Sequence, residues 1–346
     1  MIKHWIDYRD SKLLSNHAPY KKVNTIEWGL NYLDNSAHSS NTKSFLESFA
    51  KEKIAKSEEF FTPLKINEYF LDGDILRFQS AVKTRDERNN TVWCRFFPDN
   101  SPNKRAVIVV PHWNAVGKKY DKLCKLLNLF GITALRISLP YHDERNMEGA
   151  KISEGMLSSN IGRTIQSCRQ AVLDIRRAAD WLEKEGYSKL GLVGFSIGTS
   201  IMSLTVSHDR RFKVNVFVLA SSDFGEVVWT GQSTEHIRKG LESHISLEEL
   251  KVYWSLISPI TFVDRLKGME EKHLFITAKY DYTMLPYLTE RLFSEYQKHG
   301  VNFEHVVLPC SHYTIQDFPF KYIIGFLITR YLQKEFEKRL QFNENP

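Results

Sequence analysis

The 346-residue sequence has few cysteines, no long apolar run and no block of like charge, and each absence closes off a class of function. Its four cysteines, Cys94, Cys124, Cys168 and Cys310, match no zinc or redox spacing and are too sparse for a disulfide framework. They read as reduced thiols, which fits a cytoplasmic protein. The opening Met-Ile-Lys-His-Trp-Ile-Asp-Tyr-Arg-Asp-Ser-Lys holds no apolar stretch of the kind a signal peptide needs. The most apolar late stretch, Tyr322 to Leu332, is too short to span a bilayer and is interrupted by Gly325 and Arg330. It reads as a core-facing helix. The formal net charge of +6 is small for this length, and its basic residues are interleaved with acidic ones. That pattern gives a solvated surface and no nucleic-acid footprint. No spacing of His, Cys or Asp suggests a metal site, and no cofactor is implied.

What is present is a globular composition, 42% hydrophobic and 25% charged. Residues 1–62 are rich in Asn, Ser, Lys and Glu. Phe45, Leu46, Phe49 and Ile54 there recur at helical spacing, which predicts a helix over Thr42–Phe60 within an N-terminal helical arm. From residue 63 the pattern changes. Ile75–Val82 and Thr91–Phe97 read as a hairpin. Apolar runs then alternate with amphipathic ones. Strands are expected at Ala106–Val110, Thr133–Ile137, Leu190–Val193, Val214–Leu219, His273–Thr277 and His305–Leu308. Helices are expected at Tyr120–Phe130, at Ser159–Glu185 and from Ser196 to Ser207. Apolar strands separated by helices predict a mostly parallel sheet covered on both faces, an α/β fold spanning 63–346. Residues 224–262 exceed a simple crossover. With helices expected at Thr234–Ser243 and Leu247–Leu256, they read as an inserted cap.

The chemistry concentrates at strand ends. Gly194-Phe195-Ser196-Ile197-Gly198 follows an apolar strand and opens a helix, the context of a nucleophile elbow. A Gly-Ser turn that merely ends a strand is the bland alternative. It weakens once partners are counted. Asp281 lies just past one later strand and His312 just past another. Chemistry in open α/β sheets gathers at the carboxyl ends of strands. A histidine can take the serine proton and return it to a leaving group, while a carboxylate orients the ring. Asp223 is a rival acid. An oxyanion needs two backbone N–H donors, expected from Ile197 and from Trp113, with Asn114 the second choice for the latter. His142 and Asp143 sit on the same rim and either touch substrate or form a polar loop. Ser159 or Asn160 caps the long helix. Trp113, Trp229, Tyr253 and Trp254 suggest either an apolar acyl pocket or the core of the cap.

Taken together, the segments GFSIG, AKYDYT, CSHYT and PHWNAVG resemble the α/β-hydrolases. NNTVWCRFF, LPYHDER, SSNIGRTIQSCRQAV and VVWTGQST look more closely like a bacterial branch akin to dienelactone-hydrolase-like and ABHD-type esterases. The resemblance covers residues 65–335 and implies the α/β-hydrolase fold with Ser196, Asp281 and His312 as a catalytic triad. The usual His-Gly oxyanion dipeptide is replaced by His112-Trp113. The expected reaction is hydrolysis of a small carboxylic ester through an acyl-serine. An acyltransferase, amidase or carbon–carbon bond hydrolase would use the same groups. A binding protein on a hydrolase scaffold would have no need of all of them.

Overall fold

The structure, a computed structural model, describes residues 2–17, 21–34 and 41–343. Its strands are β1 (Tyr69–Asp72), β2 (Ile75–Gln79), β3 (Thr91–Phe97), β4 (Arg105–Val110), β5 (Thr133–Ile137), β6 (Lys189–Phe195), β7 (Phe212–Val218), β8 (Lys272–Ala278) and β9 (Phe303–Leu308). They form one nine-stranded sheet in the order β1-β2-β3-β5-β4-β6-β7-β8-β9. β1 pairs antiparallel with β2, β2 with β3, and β3 with β5. From β5 onward every pairing is parallel.

Parallel neighbours require crossovers, and the helices supply them. α4 (Asp121–Asn128) joins β4 to β5, α5 (Ile161–Lys184) joins β5 to β6, and α6 (Ile197–His208) joins β6 to β7. Between β7 and β8 lie α7 (Phe224–Thr230), α8 (Glu235–Leu241) and α9 (Leu247–Tyr253). α10 (Pro286–Lys298) precedes β9 and α11 (Phe320–Asn343) follows it. Ahead of the sheet stand α1 (Ile2–His17), α2 (Thr42–Ala55) and the single turn α3 (Ser57–Phe60).

The sheet interior explains the apolar runs. Every residue of β4 and of β5 is buried. Side chains alternate between faces. Ile108, Leu135 and Leu192 pack with Ile165, Val172 and Ile175 of α5. Val107, Val109 and Val193 pack on the other face with Leu127 of α4 and with Ile328 and Leu332 of α11. Each fully buried aliphatic side chain contributes about 1.5–3 kcal/mol. The edge strand β1 is mostly exposed, so it carries no alternating apolar signal and goes unseen in the sequence. Gly73, at φ 57°, sits in the turn that folds β1 back onto β2.

Some expectations are revised. The helix expected over Thr42–Phe60 breaks at Lys56, which adopts φ −107° and ψ 30° between α2 and α3. The apolar stretch 322–332 is the first half of a longer helix, α11, and only one side of it faces the core: Ile328 and Leu332 are buried while Tyr322 and Phe326 are exposed. Asn160 is the cap of α5, its side chain accepting from the Arg163 N–H at 2.9 Å.

A buried polar network fastens the loop after β5. Arg145 and Asp174 have wholly buried side chains and pair at 2.8 Å. Arg145 also donates to the carbonyls of Ser138 and Asn89, both at 2.9 Å. Asp174 accepts in turn from the Ser80 hydroxyl at 2.8 Å and the Ala81 N–H at 3.0 Å. Ionic groups tolerate burial only when so fully hydrogen-bonded.

The early segments lie against the helices between β7 and β8. Lys43 of α2 pairs with Glu249 of α9 at 2.6 Å. Lys21 donates to the Ser233 carbonyl at 2.8 Å, and the Ser159 hydroxyl donates to the Asn24 carbonyl at 2.9 Å.

Candidate active site

β6 ends at Phe195, and α6 begins at Ile197. Ser196 between them takes φ 52° and ψ −122°, a conformation that L-residues rarely adopt. The flanking glycines explain how the turn fits. A Cβ at Gly198 would lie 2.5 Å from the Val110 carbonyl oxygen and 2.7 Å from that of Pro111. One at Gly194 would lie 2.4 Å from Met202 Sδ. Backbone crowding therefore requires glycine at Gly198, and it leaves the Ser196 side chain standing at the carboxyl edge of the sheet.

Two later strands bring the partners. Ser196 Oγ lies 2.9 Å from His312 Nε2. His312 Nδ1 lies 2.8 Å from Asp281 Oδ2. Asp281 is only 4% exposed, and its other oxygen accepts the N–H groups of Thr283 at 2.8 Å and Met284 at 2.7 Å. Those donors hold the carboxylate and leave Oδ2 for the imidazole. Asp223, the rival acid, is engaged elsewhere: it caps α7, accepting from the Glu226 N–H at 2.8 Å. Burial raises its carboxyl above the ordinary range.

Ile197 is the first residue of α6, where backbone N–H groups lack intrahelical acceptors. The loop after β4 runs beside it. Trp113 donates its indole N–H to the Ser153 carbonyl at 3.1 Å, and its ring stacks on His236 of α8 with planes 4° apart. Asn114, the second choice for an oxyanion donor, has its N–H committed to His142 Nε2 at 3.0 Å. Its side chain accepts from the Ser153 N–H at 2.7 Å.

His142 is not a substrate contact. It is 0% exposed, and burial pushes its imidazole down to about 4. Since Nε2 accepts from Asn114, Nδ1 carries the proton and donates to the Pro140 carbonyl at 2.8 Å. The Asp143 side chain is only 3% exposed, accepting from the Gly117 N–H at 2.7 Å and pairing with Arg136. These two residues template the loop that carries Trp113. Trp254 is not a pocket wall either. It is 0% exposed, meets Phe224 edge-on at 5.6 Å and donates to the Ile161 carbonyl at 3.3 Å. A large indole fits the core under α7 and α9 better than a wet cleft. Trp229 is half-buried and packs against the larger core.

Three further residues escaped sequence reasoning. His112 Nδ1 bonds the Tyr120 hydroxyl, and burial pushes this imidazole down to about 3. Tyr120 stacks on Phe195, next to the serine, with ring centroids 4.4 Å apart. Asp10 of α1 accepts a hydrogen bond from Ser311, the neighbour of His312. Only a Pro-His-Trp run and an unremarkable acid mark them in the sequence. Among the described residues, no group of His, Cys, Asp and Glu is arranged to hold a metal ion. Among those residues, no helix is long and apolar enough to cross a membrane.

Comparison with known proteins places this arrangement in context. A model of the prolyl oligopeptidase family matches residues 166–324. Acetyl xylan esterase from Paenibacillus sp. R4 superposes with a TM-score of 0.58 at 16% identity, over 87% of this chain and 98% of that one. Pyrococcus horikoshii acylaminoacyl peptidase gives 0.53 at 12% identity, over 80% of this chain but 41% of its own. A puromycin-hydrolyzing peptidase of Mycobacterium tuberculosis gives 0.51 at 15% identity, over 64% of this chain and 33% of its own. The chain thus spans about a third to two fifths of these peptidases and nearly the whole length of the esterase. A comparison with curated protein sequences finds no match.

Proposed function

We propose that the chain, with the α/β-hydrolase fold, is a serine hydrolase cleaving a carboxylic ester of a small molecule. The observation that carries this reading is the continuous relay Ser196 Oγ, His312 and Asp281, with links of 2.9 and 2.8 Å. In the proposed reaction His312 Nε2 takes the Ser196 proton as the oxygen attacks the acyl carbon. Asp281 keeps the ring oriented and stabilises the imidazolium. The N–H of Ile197, with that of Trp113, receives the developing oxyanion. His312 then protonates the departing alkoxide, and an acyl-serine remains. Water, deprotonated by the same histidine, releases the acid and restores Ser196.

The full-length correspondence with an esterase supports the ester reading. The prolyl oligopeptidase match favours a second reading, a peptidase. We assign residues 224–262 the role of a cap and residues 1–62 that of an arm, whose Lys21 and Lys43 meet the cap and whose α1 meets the loops after β8 and β9. Stacking of His236 on Trp113 supports this, because it places α8 over the loop proposed to bind the oxyanion. A panel of p-nitrophenyl esters and aminoacyl p-nitroanilides, run with the protein and with Ser196→Ala, decides between the two. Ester turnover that requires Ser196 supports the first reading. Anilide turnover that far exceeds it overturns that reading in favour of a peptidase.

A further inference from the structure

α1 reaches both loops that carry the partners of Ser196. The Tyr282 hydroxyl, next to Asp281, donates to Asp7 at 3.2 Å. The Ser311 hydroxyl, next to His312, donates to Asp10 Oδ1 at 2.6 Å. Arg9 holds Asp317 with two bonds, at 2.8 and 3.1 Å. These contacts fall within one turn of one helix, and Ile6 on the same helix is fully buried. α1 thereby spans the gap between the loop after β8 and the loop after β9. The two loops are also joined to each other, the Tyr280 N–H donating to the Cys310 carbonyl at 3.0 Å.

Asp10 is the central contact. It is 3% exposed, so its carboxylate has been taken out of water for the sake of what it meets. Burial raises this carboxyl above the ordinary range, while the Ser311 hydrogen bond and the nearby His312 oppose that rise. Ser311 is itself wholly buried in a tight turn. Its N–H donates to Thr314 Oγ1 at 2.8 Å, and its Oγ accepts the Thr314 N–H at 3.1 Å. An ionised carboxylate only accepts, so the Ser311 proton points at Asp10 and the Thr314 hydroxyl donates to Ser311 across 2.9 Å. Every hydrogen-bonding direction of Ser311 is then fixed, and with it the peptide that carries His312.

We infer that Asp10 is a positioning residue of the site, acting through Ser311 to hold His312 against Ser196, so that α1 is a working part of the catalytic apparatus. This rests on the serine hydrolase reading above. The chemistry explains the effect: proton transfer from Ser196 depends on a near-attack geometry, and a misplacement of about 1 Å costs on the order of 10²-fold in rate.

The test uses the full chain and the variants Asp10→Ala, Asp10→Asn, Ser311→Ala and the Asp10→Ala/Ser311→Ala pair. It measures kcat and KM on the best ester, the rate of fluorophosphonate labelling, and Tm. Asp10→Ala is expected to lower kcat and the labelling rate about 10- to 100-fold with KM changed less than about twofold, the pattern of a lost transition-state interaction. Asp10→Asn keeps an oxygen that accepts from Ser311, so it is expected to restore the rate to within about threefold of the parent. Ser311→Ala should lose at least as much as Asp10→Ala, because it also removes the acceptor of the Thr314 N–H, and the pair should be no worse than Ser311→Ala alone. If Asp10→Ala does not fold, Asp10→Asn and Ser311→Ala carry the test. A folded Asp10→Ala with parental rates overturns the inference, as does additive loss in the pair or an Asp10→Asn as slow as Asp10→Ala. Ser196→Ala separates the two levels. If it still labels, the serine hydrolase reading fails; if it does not and Asp10→Ala labels normally, only the role of α1 fails.

Discussion

Asp281 divides its two oxygens between tasks: Oδ1 takes the N–H groups of Thr283 and Met284, and Oδ2 faces His312 Nδ1. An amide in its place would present N–H where the ring needs an acceptor, or forfeit the two backbone donors. Asp281→Asn is therefore expected to reduce kcat by about 10³- to 10⁴-fold. Asp223→Asn should leave kcat near the parent value and lower stability by about 1 kcal/mol or less, since it only caps α7. Steady-state kinetics with thermal melts on both variants check this, and the reverse outcome would exchange the two acids.

The elbow makes a second expectation quantitative in rank. At Gly198 an added methyl meets two backbone carbonyl oxygens at 2.5 and 2.7 Å, whereas at Gly194 it meets the flexible Met202 side chain and one carbonyl oxygen, that of Gly198, at 2.9 Å. Gly198→Ala should thus lose more Tm and more fluorophosphonate labelling than Gly194→Ala. Equal losses would mean that the strand–helix crossing has slack.

The Arg145–Asp174 pair is a stability determinant remote from Ser196. Removing one member leaves an unpaired buried charge, so Asp174→Ala is expected to cost about 3–5 kcal/mol. Urea denaturation of the parent and variant measures it. A loss below about 1 kcal/mol would show that water enters the network.

Buried histidines set the acid limit. His142 and His273 are held neutral by burial, their imidazoles pushed down to about 4 from 6.5. The unfolded chain takes up their protons below about pH 6.5 and the folded chain does not until about pH 4. Stability is fully present above 6.5 and falls as pH drops through that window. The slope approaches about 1.4 kcal/mol per pH unit for each histidine. His273, among Phe217, Tyr296 and no hydrogen-bond partner for either nitrogen, is the cleanest case. His273→Leu should flatten the urea-derived ΔG profile between pH 6.5 and 4 by about one proton. An unchanged slope would refute the assignment.

The fold was legible because its interior strands are buried on both faces and so read as unbroken apolar runs: Ala-Val-Ile-Val-Val of β4 needs no partner to be recognised. Ser196, Asp281 and His312 were legible for a related reason. Ser196 and Asp281 stand at or just past the ends of such strands, β6 and β8, and His312 just past the apolar end of the edge strand β9, so locating the strand locates the residue. β1 escaped because its side chains face water. His142 and Trp254 were read as candidates for substrate because polar and aromatic residues near a rim look alike in sequence. Only coordinates distinguish a histidine bonded to Pro140 and Asn114 from one facing a cleft. Asp10 was illegible for the same reason in stronger form. Its partner lies 301 residues away, and no periodicity encodes a single side-chain contact over that span.

That separation also governs when the protein becomes reactive. A ribosome adding about 5–20 residues per second needs roughly 15–60 s to pass from Asp10 to Ser311. Ser196 is made partway through that interval, and until Ser311 and His312 follow it has no imidazole beside it and Asp10 has nothing to grip. The growing polypeptide therefore lacks the complete relay until His312 has been added, and a chain cut short before it would hold Ser196 without the base that activates it.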